Sequence, residues 1–85
     1  MPKILVLDVP EFRPLVEEAR ARTGYTVTGP RLGYWRIEAP GVLEFRRKAL
    51  GFKPAVWHGA LTGGLVGRIE RFDNEEMRIV DGSAP

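Results

Sequence analysis

The sequence predicts a small two-layer α+β domain, in which an antiparallel sheet of about five or six strands carries one or two helices on one face. Three observations lead to this fold class. Several short apolar runs of strand length are separated by Gly, Pro and Asn turn signals. One early segment has helical periodicity instead. The chain has 85 residues, 44% of them hydrophobic and none of them cysteine, so a modest core must form without disulfides.

The first predicted elements are a strand and a helix. Residues 3–8 form an apolar run of strand length without clean alternation, which is typical of a central strand covered on both faces. Asp8 and Glu11 have the spacing of a capping box. Four apolar residues then follow at helical spacing, namely Phe12, Leu15, Val16 and Ala19. We therefore expect a regular helix from about Pro14 that ends before Gly24.

Two strands are predicted in the middle of the chain. Residues 25–28 are largely β-branched and alternating, and the Gly29-Pro30 turn signal follows them directly. Residues 34–39 alternate again. This alternation places the odd-numbered side chains on one face of the strand and the even-numbered side chains on the other.

The segment 42–50 is compatible with a strand or with a helix. A helix would place Arg46 inside its apolar arc, so we favour a strand that begins after the Pro40-Gly41 turn signal. This strand would form a hairpin with the strand before it. The even-numbered side chains of both strands, including Arg36 and Arg46, would then share one face.

The last third of the chain predicts a short helix and a terminal hairpin. Pro54 suits the first position of a helix, and Gly63-Gly64 suits its stop. Residues 66–72 and 77–81 alternate on either side of a polar turn, which predicts two paired strands.

The organisation of the chain points to one unit without a membrane segment. No repeat or linker divides the sequence, so we predict a single domain over residues 1–81 and a frayed tail over residues 82–85. The longest uncharged stretch, residues 54–67, has fourteen residues with four glycines, too short to cross a bilayer. No secretory signal is recognisable, and we expect a cytoplasmic protein.

Charge is concentrated in the middle of the chain. The net charge is +2, but residues 20–58 carry eight cations against two acids, a local charge of +6. Aromatic residues are interleaved with these cations. This pattern could bind nucleic acid or another polyanion by charge and stacking. The alternative is a solvated face or a protein interface, partly neutralised by Glu38 and Glu44.

Residues suited to catalysis are sparse. His58 is the only histidine and the natural general base, and Thr62 would lie on its face of a helix four residues later. The Gly63-Gly64 turn could cradle a ligand or let two backbones approach closely. A small enzyme or ligand pocket around these residues is one alternative. No cofactor is expected, and one histidine without cysteine argues against a zinc site.

The leading hypothesis is a non-catalytic binding module or accessory subunit. Its partner would be a second copy of the chain or a larger protein. The predicted surface combines aromatic and glycine residues with arginines, and Trp and Arg are enriched at the energetic centres of interfaces. Its candidate residues are Trp57, Phe52, Trp35, Arg36, Arg46, Arg47, Gly63 and Gly64.

Overall fold

The computed structural model describes residues 1–82, and over this range it confirms the α+β fold class. Of the predicted tail, residues 83–85 lie outside the described part of the chain. In chain order the elements are β1 (Lys3–Leu7), a 3₁₀ turn (Pro10–Phe12), α1 (Arg13–Ala21), β2 (Thr26–Arg31), β3 (Tyr34–Glu38), β4 (Val42–Arg46), α2 (Arg47–Leu50), α3 (Pro54–His58), β5 (Leu65–Val66), β6 (Arg68–Phe72) and β7 (Glu76–Val80). No helix within residues 1–82 is long and apolar enough to cross a membrane.

The strands form two antiparallel sheets rather than the one that was predicted. The four-stranded sheet has the order β2-β3-β1-β5, and the three-stranded sheet has the order β4-β7-β6. Strand β1 is central, as predicted, because it pairs with β3 on one side and β5 on the other. The prediction that both of its faces are covered is wrong, since Lys3 and Leu5 are only partly buried and Leu7 is exposed.

Both sheets contribute their inner faces to one apolar core. Alternation along β1 buries Ile4 and Val6, and alternation along β7 buries Met77 and Ile79. The predicted stripe of α1 joins the same core, since its three most apolar positions, Leu15, Val16 and Ala19, are buried. Helix α1 packs against β2 and β3 on this inner side of the four-stranded sheet.

The segment 42–50 contains both of the structures that its sequence allowed. It is a strand to Arg46 and a helical turn from Arg47 to Leu50. The predicted hairpin with β3 is wrong, because β4 pairs with β7 in the other sheet, with Leu43 opposite Ile79. Leu43 is buried in either arrangement, so the local pattern does not reveal which strand is the partner.

The outer edge of β4 is closed by side chains that follow α1. The backbone N–H of Glu44 donates to the Tyr25 hydroxyl at 2.9 Å, and the Arg22 guanidinium donates to the Glu44 carbonyl. The outward-facing N–H and C=O of Glu44, in the middle of this edge strand, are thereby occupied, which disfavours pairing with another chain there.

One predicted cap and one predicted turn differ from the structure. Asp8 makes no cap hydrogen bond, and its carboxylate instead accepts the Trp35 indole N–H at 2.9 Å. The Gly29-Pro30 pair lies inside β2, where the register shifts. The chain reverses two residues later at Leu32 and Gly33, whose φ angles of 55° and 85° are typical of a tight hairpin turn.

The predicted helix over residues 54–64 is shorter than expected. It begins at Pro54, as proposed, but ends at His58 with Gly59 at its C-terminal cap. Turns occupy the chain from Gly59 to Gly63, so the Gly63-Gly64 pair has a different role, described below.

Candidate binding face on the four-stranded sheet

The outer face of the three-stranded sheet is occupied by its own ion pairs. Arg46 lies 3.3 Å from Glu76, and Arg78 lies 2.7 Å from Glu70 and also contacts Glu44. These charges neutralise one another across neighbouring strands, as opposite-charge pairs on a sheet face commonly do. Few charged side chains on this face therefore remain available to bind a ligand.

The outer face of the four-stranded sheet is different, because it contains two adjoining depressions. The first has a volume of about 390 Å³ and the second about 330 Å³. We call the residues that line them the open sheet face. These residues are Lys3, Leu5, Thr28, Gly29, Arg31, Leu32, Tyr34, Arg36, Gly64, Leu65 and Val66. Leu5 and Arg36 line both depressions and form the boundary between them.

The charged residues that line the open sheet face are all cations, namely Lys3, Arg31 and Arg36. Arg36 is half exposed, and its Nε lies 3.3 Å from the Glu38 carboxylate beside the depressions. Neither Lys3 nor Arg31 forms a salt bridge within residues 1–82. The open sheet face therefore has an excess of positive charge.

Apolar side chains supply the floor and one rim of the open sheet face. Leu5 is half buried at the boundary, Tyr34 lies in the first depression, and Val66 in the second is 57% exposed. Leu32 at the tip of the β2–β3 turn is 90% exposed. Single exposed apolar residues are common, but a cluster of them beside cations, two of which form no salt bridge within residues 1–82, is typical of a binding site.

The Gly63-Gly64 pair shapes this face by letting the chain lie against β1. The Leu5 N–H donates to the Gly64 carbonyl at 2.9 Å. A Cβ on Gly63 would overlap the Leu5 carbonyl oxygen and lie 3.0 Å from the Tyr34 ring. The close approach of two backbones thus explains Gly63, while Gly64 itself lines the second depression.

The three aromatic residues predicted for the binding surface lie in the core. Trp57, Trp35 and Phe52 are 0%, 6% and 5% exposed. The Trp57 indole N–H donates to the Asp73 carbonyl at 2.6 Å, which satisfies its one polar group in the interior. In this structure these side chains stabilise the fold and present no surface to a partner.

The three predicted arginines lie in three different environments. Arg36 belongs to the open sheet face, whereas Arg46 lies on the other sheet, so the shared face predicted for them is wrong. Arg47 is used internally, since its Nε donates to the Asn74 carbonyl at 2.6 Å and its Nη1 to the Phe52 carbonyl at 3.0 Å. The basic segment 20–58 is therefore spread over both sheets rather than gathered on one surface.

The predicted catalytic pair is not assembled. His58 is exposed at the end of α3, and its Nε2 lies 2.9 Å from the Asn74 side-chain oxygen. The Thr62 hydroxyl donates to the Gly59 carbonyl at 2.8 Å. Because α3 ends at His58, Thr62 does not share a helix face with it, and no hydrogen bond joins them within residues 1–82.

The acidic turn between β6 and β7 uses its carboxylate to hold its own backbone. Asp73 accepts the N–H groups of Glu75 and Glu76 at 2.9 and 2.8 Å, and the Arg71 Nε at 2.7 Å. The Glu76 N–H and the Arg71 guanidinium hold the pKa of Asp73 well below its usual range. In the described residues, no three His, Asp or Glu side chains are grouped closely enough to hold a metal ion.

Most residues of the open sheet face were not predicted from the sequence, although one local pattern indicated two of them. The alternation in residues 34–38 already places Tyr34 beside Arg36 on the outer face. Lys3 and Leu5 join them only through the pairing of β1 with β3, which has no local signature.

Comparison with known proteins adds no family to this description: no protein-family model matches the chain, and no curated protein matches it. Function is therefore inferred from the geometry and charge of the open sheet face.

Proposed function

We propose that the chain is a non-catalytic binding module that holds an anionic ligand with a flat apolar group on its open sheet face. The observation that carries this proposal is the lining of the two depressions, in which apolar side chains alternate with cations. The neighbouring carboxylate, Glu38, pairs with Arg36 and lies opposite Lys3, but it lines neither depression. The hypothesis of a binding module, predicted from the sequence, is retained. Its proposed binding surface is now the open sheet face, because the aromatic residues first predicted for it are buried.

The chemistry of the lining favours an anion. A guanidinium presents its donors in a planar fork that matches a carboxylate, sulfonate or phosphate. Arg31 and Arg36 approach the first depression together with Tyr34, whose hydroxyl makes no hydrogen bond within residues 1–82. Both volumes lie in the range of about 300–1,000 Å³ that is usual for small-ligand sites.

The same lining favours binding over catalysis. It includes the hydroxyls of Thr28 and Tyr34, but no histidine or carboxylate that could accept a proton from a substrate at neutral pH. His58, the candidate general base, does not line either depression.

A titration with 8-anilinonaphthalene-1-sulfonate tests this proposal, because this probe joins aromatic rings to a sulfonate. We expect saturable binding with amide NMR shifts confined to β1, β2, β3 and the Gly64–Val66 stretch. Arg36→Gln should weaken binding by about tenfold, the effect of losing one partly exposed charge-assisted hydrogen bond. Arg68→Gln is the matched control, because it removes the same charge from exposed β6.

Equal binding of this probe to the two variants, or shifts that map to another surface, would contradict the proposal. An increase in fluorescence without localised NMR shifts would also contradict it, since it would indicate general binding to apolar surface rather than a site.

Self-association through the open sheet face is a second candidate, favoured by the exposure of Leu32 and Val66. Two such faces would bring their cations together, so a dimer of this kind should strengthen at high salt. Sedimentation equilibrium of the parent chain and of Leu32→Asp at low and high salt decides this. A dimer that the substitution dissociates supports self-association, and a monomer at all concentrations removes it.

A further inference from the structure

The three cations of the open sheet face lie on a diagonal across three neighbouring strands. Arg31 is on β2 opposite Tyr34, and Arg36 is on β3 opposite Leu5. Lys3 is on β1 opposite Glu38, the carboxylate that pairs with Arg36. In the registered pairing, each step from one cation to the next moves one strand across and two residues along. Such a step measures about 8 Å between backbone positions, from the usual strand spacing and residue rise.

Apolar surface lies between successive cations of this diagonal. Tyr34 lies in the first depression, between Arg31 and Arg36. Leu65 and Val66 lie in the second depression, which Arg36 and Lys3 also line. The order along the diagonal is therefore cation, apolar depression, cation, apolar depression, cation.

This alternation matches a polymer in which anionic links join flat apolar groups. We infer that the open sheet face binds single-stranded nucleic acid, with consecutive phosphates at Arg31, Arg36 and Lys3 and a base over each depression. The inference rests on the proposed function, because it names the ligand class of the same site. Stacking on an aromatic ring and tracking of the backbone by cations are the two components of such binding.

An acidic peptide fits the same face less well. A peptide lying on the face of a sheet leaves its own N–H and C=O groups without backbone partners, because the edge strands β2 and β5 direct their unpaired backbone groups sideways, in the plane of the sheet. A nucleic acid backbone has no such donors to satisfy, and its phosphates meet the cations directly.

Salt dependence gives the inference a quantitative form. Three phosphate contacts to a single strand predict a slope of about −2 in a plot of log affinity against log salt concentration. Affinity should therefore fall by about 18-fold between 50 and 200 mM NaCl.

The experiment measures fluorescence anisotropy of fluorescein-labelled dT10 with the full chain at several NaCl concentrations. Arg31→Gln, Arg36→Gln and Lys3→Gln should each make the slope shallower by about 0.7, and the control Arg68→Gln should leave it unchanged. Tyr34→Leu should weaken binding by about 5- to 160-fold through lost stacking, with the slope retained.

Four outcomes overturn the inference in distinguishable ways. If the anilinonaphthalene probe maps to the open sheet face but dT10 does not bind, the nucleic acid is wrong and the proposed function stands. If dT10 binds equally to Arg36→Gln and Arg68→Gln, the site is wrong. If a glutamate–tyrosine copolymer binds with the Arg36 dependence and dT10 does not, the partner is an acidic protein. If neither the probe nor dT10 binds, both proposals fall.

Discussion

Replacing Trp57 by phenylalanine tests whether this residue belongs to the core or to a partner surface. Trp57 is fully buried, its ring packs edge-on against Phe72 at 5.7 Å between ring centroids, and its indole N–H donates to Asp73. The smaller ring loses two buried carbons at about 0.8 kcal/mol each. It also loses one hydrogen bond of about 1 kcal/mol, part of which water restores at the half-buried Asp73.

The expected cost is about 2 kcal/mol of the free energy of unfolding, which corresponds to a melting temperature lower by roughly 8–16 °C for a domain of this size. Urea denaturation followed by circular dichroism and by the remaining tryptophan, Trp35, measures the change. Leu32→Ala serves as the control, because that side chain is 90% exposed and its truncation should leave stability nearly unchanged. A Trp57→Phe midpoint equal to or above that of the parent would refute the core assignment.

Three further predictions concern local contacts, each measured by thermal or urea denaturation. Gly63→Ala should destabilise the chain by more than about 1 kcal/mol because its Cβ would overlap backbone, whereas Gly41→Ala, with no atom within 4 Å, should not. Tyr25→Phe should lower the free energy of unfolding by about 1–2 kcal/mol, because it leaves the Glu44 N–H at the sheet edge without its acceptor. Tyr34→Phe should leave the free energy of unfolding unchanged, because the Tyr34 hydroxyl has no hydrogen-bond partner within residues 1–82. Because the pKa of Asp73 is lowered from 3.8 on folding, its charge stabilises the fold above pH 4 and less as the pH falls below that value. The stability difference between the parent and Asp73→Ala should therefore shrink from pH 4 to pH 2, and a difference that does not change with pH would contradict the assignment.

Local patterns in the sequence predicted the elements that depend on near neighbours. The helical spacing of Leu15, Val16 and Ala19 predicted the buried stripe of α1. The alternation of residues 66–72 and 77–81 around a polar turn predicted the β6–β7 hairpin. The first run is divided at Gly67, because Val66 belongs to β5 and pairs with β1. In these segments the backbone hydrogen bonds join residues that are close in sequence, so the local pattern is sufficient to predict the type of element.

Long-range pairing could not be predicted in the same way. The apolar residues Leu43 and Phe45 are compatible with pairing to any strand that has an apolar face, and both β3 and β7 have one. The choice of β7 separated Arg46 from Arg36 and removed the predicted binding surface. For Trp57, residue type was equally compatible with a core and an interface, and only the packing of α3 against the β6–β7 turn distinguished them.

The residues of the open sheet face come from three distant stretches of chain, residues 3–5, 28–36 and 64–66. Unfolding disperses them, so a ligand of this face binds the native state alone and raises its stability by thermodynamic linkage. A free ligand concentration of one hundred times Kd would add about 2.7 kcal/mol. That is a large share of the roughly 4–13 kcal/mol expected for a chain of this length. The melting temperature of the protein would then report how much of its partner is present.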